Sequence, residues 1–161
     1  MGIDGQRGNG PRRCHQEHNM EKKKVLFVCI GNMCRSQMAE GFARAIGGDF
    51  VEPFSAGTNA TGMVSDIAAA VMSEAGVDIS TQWSKPLSEV PIDEMDYVIT
   101  MGCCSANSLC PVGYIGSRID WNIEDPIGKP IEYFRRVRDA IEAKVREFLE
   151  AIWKEKEPTR N

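Results

Sequence analysis

No apolar run in this 161-residue chain approaches the ~20 residues that a membrane-spanning helix needs, so no such span is expected. No secretory leader is expected either, since residues 1–24 carry charges but no apolar core segment. Positive charge is not in excess. The formal net charge is −4, which excludes a general pull toward nucleic acid or an anionic membrane. Histidine is scarce, with His15 and His18 both near the N-terminus. The length suffices for one core and leaves no room for a second domain. A cytoplasmic location is expected, where thiols stay reduced. Six cysteines in that setting point to catalysis, redox chemistry or metal binding rather than structural disulfides.

Residues 1–23 are rich in Gly, Arg, Asn, Gln and Lys and almost free of aliphatics, and are read as a disordered tail. Met20 is a candidate for the true start. Cys14, His15 and His18 in that tail are too few for a closed zinc site, so no metal is expected. Residues 24–155 read as a single domain in which strands alternate with helices. Strands are expected over 25–30, 50–55, 96–101 and 118–121. Helices are expected over 37–46, 65–75 and 131–153. Gly47 and Gly48 end the first helix, and the second has Ser65 as N-cap and Gly76 as its stop. Along the third, Ile131, Phe134, Val137, Ile141, Val145, Phe148, Leu149 and Ile152 recur at helical spacing and form a core-facing stripe. The alternation predicts a three-layer α/β fold: a four-stranded, mostly parallel sheet flanked by helices. Ligands of such sheets bind at the C-terminal ends of the strands.

The first strand runs straight into Cys29-Ile30-Gly31-Asn32-Met33-Cys34-Arg35-Ser36. A strand, a short loop and a helix start turn backbone N–H groups toward one point, and the helix terminus adds partial positive charge there. A tetrahedral oxyanion is the natural guest of residues 30–35. Cys29 would lie beneath it and Arg35 beside it, an arrangement for thiolate attack on a bound oxyanion. Gly31 and Asn32 sit where the loop needs unusual dihedrals. Ser36 can donate a hydrogen bond to the Cys29 sulfur and help hold it deprotonated.

A second group of cysteines follows the third strand: Gly102-Cys103-Cys104-Ser105-Ala106-Asn107-Ser108-Leu109-Cys110-Pro111. Because the two strands end at one sheet edge, either Cys103 or Cys104 can approach Cys29. A bond between Cys103 and Cys110 would require the intervening segment to loop out or unwind. Mobile dithiols beside a reactive thiolate have the character of a relay. No histidine lies nearby to complete a metal site. Ahead of the last helix, Glu124 and Asp125 are candidates for a general acid that protonates a leaving oxygen.

Strand, Cys-x-Gly-Asn-x-Cys-Arg-Ser, helix and a late Asp125-Pro126 together resemble the low-molecular-weight protein tyrosine phosphatase superfamily. The likeness runs from about Lys24 to Trp153. Within that superfamily the chain is most similar to thioredoxin-coupled arsenate reductases. The opening Ser36-Gln37-Met38-Ala39-Glu40-Gly41, the segments Ser55-Ala56-Gly57 and Asp78-Ile79-Ser80, and the spacing of Cys103 and Cys110 carry this likeness. The tyrosine phosphatases usually place an aromatic after Asp-Pro; here the residue is Ile127.

The resemblance implies that arsenate, with phosphate as competitor, binds in the loop and is attacked by Cys29 while Asp125 supplies a proton. Cys103 then attacks Cys29, Cys110 attacks Cys103, and thioredoxin reduces the resulting pair. No bound cofactor is implied. Cys104 stands beside the presumed relay residue and leaves open which of the two receives the disulfide. Cys34 is either structural or a reversible protector of Cys29. Some relatives hold potassium with an Asn, a Glu, a Ser and an Asp. Asn32, Glu40 and Ser55 match, but Lys85 stands at the fourth place, where its ammonium is expected to replace the cation and bond Asn32 or Glu40. The alternative reading is a phosphatase, which needs Cys29, Arg35 and Asp125 but none of Cys103, Cys104 or Cys110.

Overall fold

The apolar run Val25–Val28 has no residue exposed to solvent, and β1 (Lys23–Cys29) that contains it is an inner strand of the sheet. A strand covered on both faces needs such continuous apolar sequence rather than alternation. The computed structural model describes residues 21–156. Most of the expected tail, including Cys14, His15 and His18, lies outside the described residues. Lys22 precedes the first strand directly and Lys23 already belongs to it.

The chain then forms α1 (Arg35–Gly47), β2 (Val51–Gly57), α2 (Asp66–Glu74), β3 (Tyr97–Thr100), α3 (Ala106–Leu109), β4 (Ser117–Asp120) and α4 (Ile131–Lys156). Two short 3-10 turns, Leu87–Glu89 and Ile92–Glu94, lie between α2 and β3. The sheet order is β2-β1-β3-β4, and all three pairings are parallel. The expected sheet is thus present, parallel throughout. The Ser65 side chain caps α2 by accepting from the Ala68 N–H, and Gly76 has φ +79°, as a helix stop requires.

Three differences from the sequence reading have physical causes. Helix α1 starts at Arg35 rather than 37, because Cys34 already turns the backbone into the helix. Strand β2 runs on to Gly57 because Gly57 pairs with Cys29. The turn α3 carries no apolar periodicity that a four-residue element could display.

The two faces of the sheet are covered unequally. Val25, Phe27, Cys29, Ile99 and Met101 face a core built with α1, α2 and α4, to which Phe134, Val137, Ile141, Val145, Leu149 and Ile152 contribute the predicted stripe. Leu26, Val28, Ala56 and Val98 face the smaller core, closed by Val90, Met95, Ala106 and Tyr114. Strand β1 has β2 on one side and β3 on the other, so the chain leaves neighbouring strand ends in opposite directions. The crevice of such a switch point opens at the C-terminal ends of β1 and β3. Ile141 is fully buried in the larger core. Ile141→Ala is expected to lower unfolding free energy by about 2–5 kcal/mol, read as a lower urea midpoint at unchanged slope.

Candidate active site

The loop between β1 and α1 is held by its carbonyls. Those of Cys29, Ile30, Gly31 and Met33 accept from the N–H groups of Thr58, Asn59, Thr61 and Ser65, at 2.8–3.1 Å. Among the described hydrogen bonds, none is donated by a backbone N–H of residues 30–34. The carbonyls face outward onto the chain after β2, which leaves the amides for the concave side. Helix α1 continues this arrangement: its N-cap, Cys34, makes no side-chain capping bond, so the first helical N–H groups have no such acceptor.

Asn32 makes the tight bend, with φ +47°. Its Oδ1 accepts from Gln37 Nε2 at 2.9 Å and from the Lys85 N–H at 2.9 Å, which fixes the amide orientation. Its Nδ2 therefore donates to Ser36 Oγ at 2.8 Å. When Cys29 is a thiolate it has no proton to give, so the Ser36 hydroxyl, 2.9 Å from Sγ, is the donor of that pair. This chain of donors ends on sulfur and stabilises negative charge there. Asn32, Ser36 and Gln37 are all fully buried.

Arg35 is held from two strand ends. Its Nη1 donates to the carbonyls of Met101 at 2.7 Å and Ile123 at 3.1 Å, and its Nη2 lies 3.6 Å from Asp125 Oδ2. Asp125 is 49 % exposed in its side chain, and its Oδ1 accepts from the Ile127 N–H. The structure thus brings Asp125 to the site; Glu124 makes no such contact among the described residues. Cys34 is almost fully buried, and burial pushes its thiol far up, reinforced by Cys29 and Asp125 and partly opposed by Arg35. It therefore stays a neutral thiol. Both Cys29 and Cys34 are free, with no disulfide between them.

Of the second cysteine group, Cys103 comes to β1: its Sγ contacts the Val28 carbonyl at 3.8 Å, one residue before Cys29. Cys104 packs at the edge of the smaller core, on the opposite side of the sheet from Cys29. The sulfurs of Cys103 and Cys104 are paired with each other, and Cys110 is a free, half-buried thiol. Among the described residues no group of His, Cys, Asp or Glu could hold a metal ion.

The four residues matched to a potassium site do gather. Ser55 Oγ donates to Glu40 Oε1 at 3.4 Å, and Lys85 Nζ lies 4.0 Å from the same oxygen. The ammonium also donates to the Trp83 carbonyl at 3.1 Å. It does not reach Asn32, which Lys85 meets through its backbone N–H instead. Gln37 escaped the sequence reading, although a polar residue at the inner start of an amphipathic helix was the signal available. Its Nε2 reaches Asn32 and the Trp83 carbonyl, and its Oε1 accepts from Gln82. Gly57 gains a role of its own: a Cβ there would stand 2.5 Å from the Ile30 carbonyl and 2.9 Å from the Asn32 nitrogen.

Residues 24–158 match the family described as low molecular weight phosphotyrosine protein phosphatase. Over 132 residues the chain is 40% identical to the glutaredoxin arsenate reductase of Synechocystis sp., covering 81% of this chain and 98% of that protein. A solved arsenate reductase in its phosphate-binding state is similar with a TM-score of 0.69 and 38% identity, over 81% of this chain and 98% of that one. The thioredoxin-dependent arsenate reductase of Corynebacterium glutamicum gives a TM-score of 0.70 at 32% identity, over 84% of this chain and 64% of that one.

Burial raises the Glu40 carboxyl above its ordinary 4.5, against the pull of Lys85 and Arg44 and the Ser55 hydrogen bond. It lowers the Lys85 ammonium, with Glu40 opposing. A raised carboxyl binds its proton more tightly in the folded chain. Its contribution to stability therefore falls as pH rises from 4.5 through the raised value, and the full cost of the buried charge applies at neutral pH. Glu40→Gln alone leaves Lys85 buried without its counter-charge and is expected to cost about 3–5 kcal/mol at pH 7; adding Lys85→Met recovers most of it, as urea titration of the three proteins would show. Replacing NaCl by KCl is expected to leave the melting temperature of the unsubstituted protein unchanged, whereas Lys85→Asp makes it respond to potassium.

Proposed function

Because the chain belongs to the low molecular weight phosphotyrosine protein phosphatase family, we propose that its oxyanion site serves arsenate reduction. The observation that carries this reading is the arrival of Cys103 at the end of β1, one residue from the sulfur beneath the anion loop. A phosphatase has no use for a second thiol there. The identities of 38–40% to arsenate reductases over most of the chain support the same reading.

Arsenate lies against the inward N–H groups of residues 30–35 with the Arg35 guanidinium beside it. The Cys29 thiolate attacks arsenic, an As–O bond breaks, and Asp125 gives its proton to the departing oxygen. Once a dithiol protein has reduced the Cys103–Cys104 pair, the Cys103 thiolate attacks Cys29 Sγ. An S–S bond forms, the S–As electron pair stays on arsenic, and arsenite leaves reduced by two electrons. Cys110 attacks Cys103, which frees Cys29 as a thiolate and moves the disulfide to Cys103–Cys110. Cys103, whose Sγ contacts the Val28 carbonyl, is the relay residue in this scheme, with Cys104, its sulfur-paired neighbour, as the alternative. A dithiol protein closes the cycle, and thioredoxin fits a relay that ends on a protein disulfide. No bound cofactor takes part. Such a cycle requires a reducing compartment, consistent with a cytoplasmic location; among the described residues no helix is long and apolar enough to cross a membrane. Phosphate has the shape and charge of arsenate and competes for the loop.

The phosphatase alternative uses the same Cys29, Arg35 and Asp125. It is tested together with the reductase reading by following arsenate-dependent NADPH consumption with thioredoxin and thioredoxin reductase. Cys29→Ser is expected to abolish turnover. Cys110→Ser is expected to lower multiple turnover by about a hundredfold or more while hydrolysis of phenyl phosphate continues; the size is that typical of losing a covalent or proton-transfer step. Arsenate turnover that survives in Cys103→Ser would end the relay. No arsenate turnover at all, with phenyl phosphate hydrolysis intact, would make the chain a phosphatase.

A further inference from the structure

The segment bearing the second cysteine group is fastened at both ends and once in its middle. At the start, Arg35 donates to the Met101 carbonyl. At the end, the Tyr114 hydroxyl donates to the Met95 carbonyl at 2.8 Å. In the middle, one carboxylate oxygen does the fastening. Asp120 Oδ1, at the end of β4, accepts from the Ala106 N–H at 2.9 Å and from the hydroxyl of Thr100 at the end of β3. Thr100 is fully buried, so the carboxylate is anchored to the sheet. Ala106 opens α3, the turn that separates Cys103 from Cys110, and the Cys110 N–H closes that turn on the Ala106 carbonyl.

We propose that Asp120 is a latch on the redox segment, a positioning residue that favours the state in which Cys103 and Cys110 are apart. The proposal rests on the relay described above. A Cys103–Cys110 disulfide needs Cα atoms roughly 4.4–6.8 Å apart, and the folded α3 turn stands between the two. When the Cys110 thiolate attacks Cys103 Sγ, the S–S bond to Cys110 forms and the bond to Cys29 breaks. Cys29 leaves as a thiolate, and no outside oxidant is needed. The turn unwinds in this step and the Ala106 N–H leaves Asp120. An interaction lost when the Cys103–Cys110 disulfide forms makes that disulfide easier to reduce. Asp120 therefore holds Cys103 near β1 for the first exchange and favours reduction of the pair in the last.

The test uses the full chain carrying Cys104→Ser, so that Cys103 cannot pair with its neighbour. The protein is equilibrated with mixtures of reduced and oxidised dithiothreitol, quenched, alkylated and mapped by peptide mass. In Asp120→Ala the Cys103–Cys110 disulfide is expected to persist to a reduced-to-oxidised ratio about tenfold higher than in the parent, the size that a charge-assisted hydrogen bond carries. Asp120→Asn keeps an acceptor oxygen and is expected to return most of the shift. Phenyl phosphate hydrolysis, which needs Cys29 but not the relay, is expected to be the same in all three and reports that the fold is intact. Equal midpoints in Asp120→Ala and the parent would overturn the latch. Absence of a Cys103–Cys110 disulfide in the parent, even after arsenate turnover without reductant, would overturn the relay and the latch with it.

Discussion

Gly57 has no side chain, and the loop after β1 lies directly against its Cα. Any Cβ at that position would push into the Ile30 carbonyl and the Asn32 nitrogen. This close approach lets the chain after β2 take up the loop's carbonyls, through Thr58, Asn59 and Thr61. Once the carbonyls are bonded outward, the N–H groups have only the concave side. The positive character of the site is thus made by backbone geometry, with Arg35 as a single added charge. An oxyanion bound there meets donors already in place, so little reorganisation opposes the attack.

A second constraint joins the anion loop to the rest of the sheet. Arg35 donates to Met101 and Ile123, one residue on each of the two segments that also bear Cys103, Cys110 and Asp125. The guanidinium is oriented by these carbonyls, and in turn it fixes where both segments begin. Gly102, with φ +91°, allows the chain to pass against Ile123 at this point, where a Cβ would stand 3.0 Å from the Ile123 carbonyl. The loop, the redox segment and the Asp125 turn therefore share one set of contacts, although they are 66 and 88 residues from Arg35 at their contact points.

Much of the site was legible before any coordinates. Cys29, Arg35 and Ser36 lie in one short segment between a strand and a helix, and local spacing dictates their geometry. Ser65 and Gly76 were legible for the same reason, because capping is a local property. Asp125 and Glu124 were both candidates for the acid, and of the two it is Asp125 that lies beside Arg35. The choice between Cys103 and Cys104 was open in the sequence because adjacent residues leave a chain in different directions. Cys103 contacts the Val28 carbonyl and Cys104 packs against the smaller core, while their sulfurs pair with each other.

The sequence by itself determined the alternation of strands and helices, the buried central strand and the anion loop, since each depends on residues within about a dozen positions of one another. Tertiary structure alone decided what Lys85, Gln37 and Asp120 do. Lys85 was expected to bond Asn32 or Glu40, and its ammonium goes to Glu40 and the Trp83 carbonyl while its backbone N–H meets Asn32. Asp120 carries no local signal, because its partners Thr100 and Ala106 come from other elements. A polar side chain can be satisfied by any donor within reach. Only the packing of the sheet and its crossings settles which donor that is.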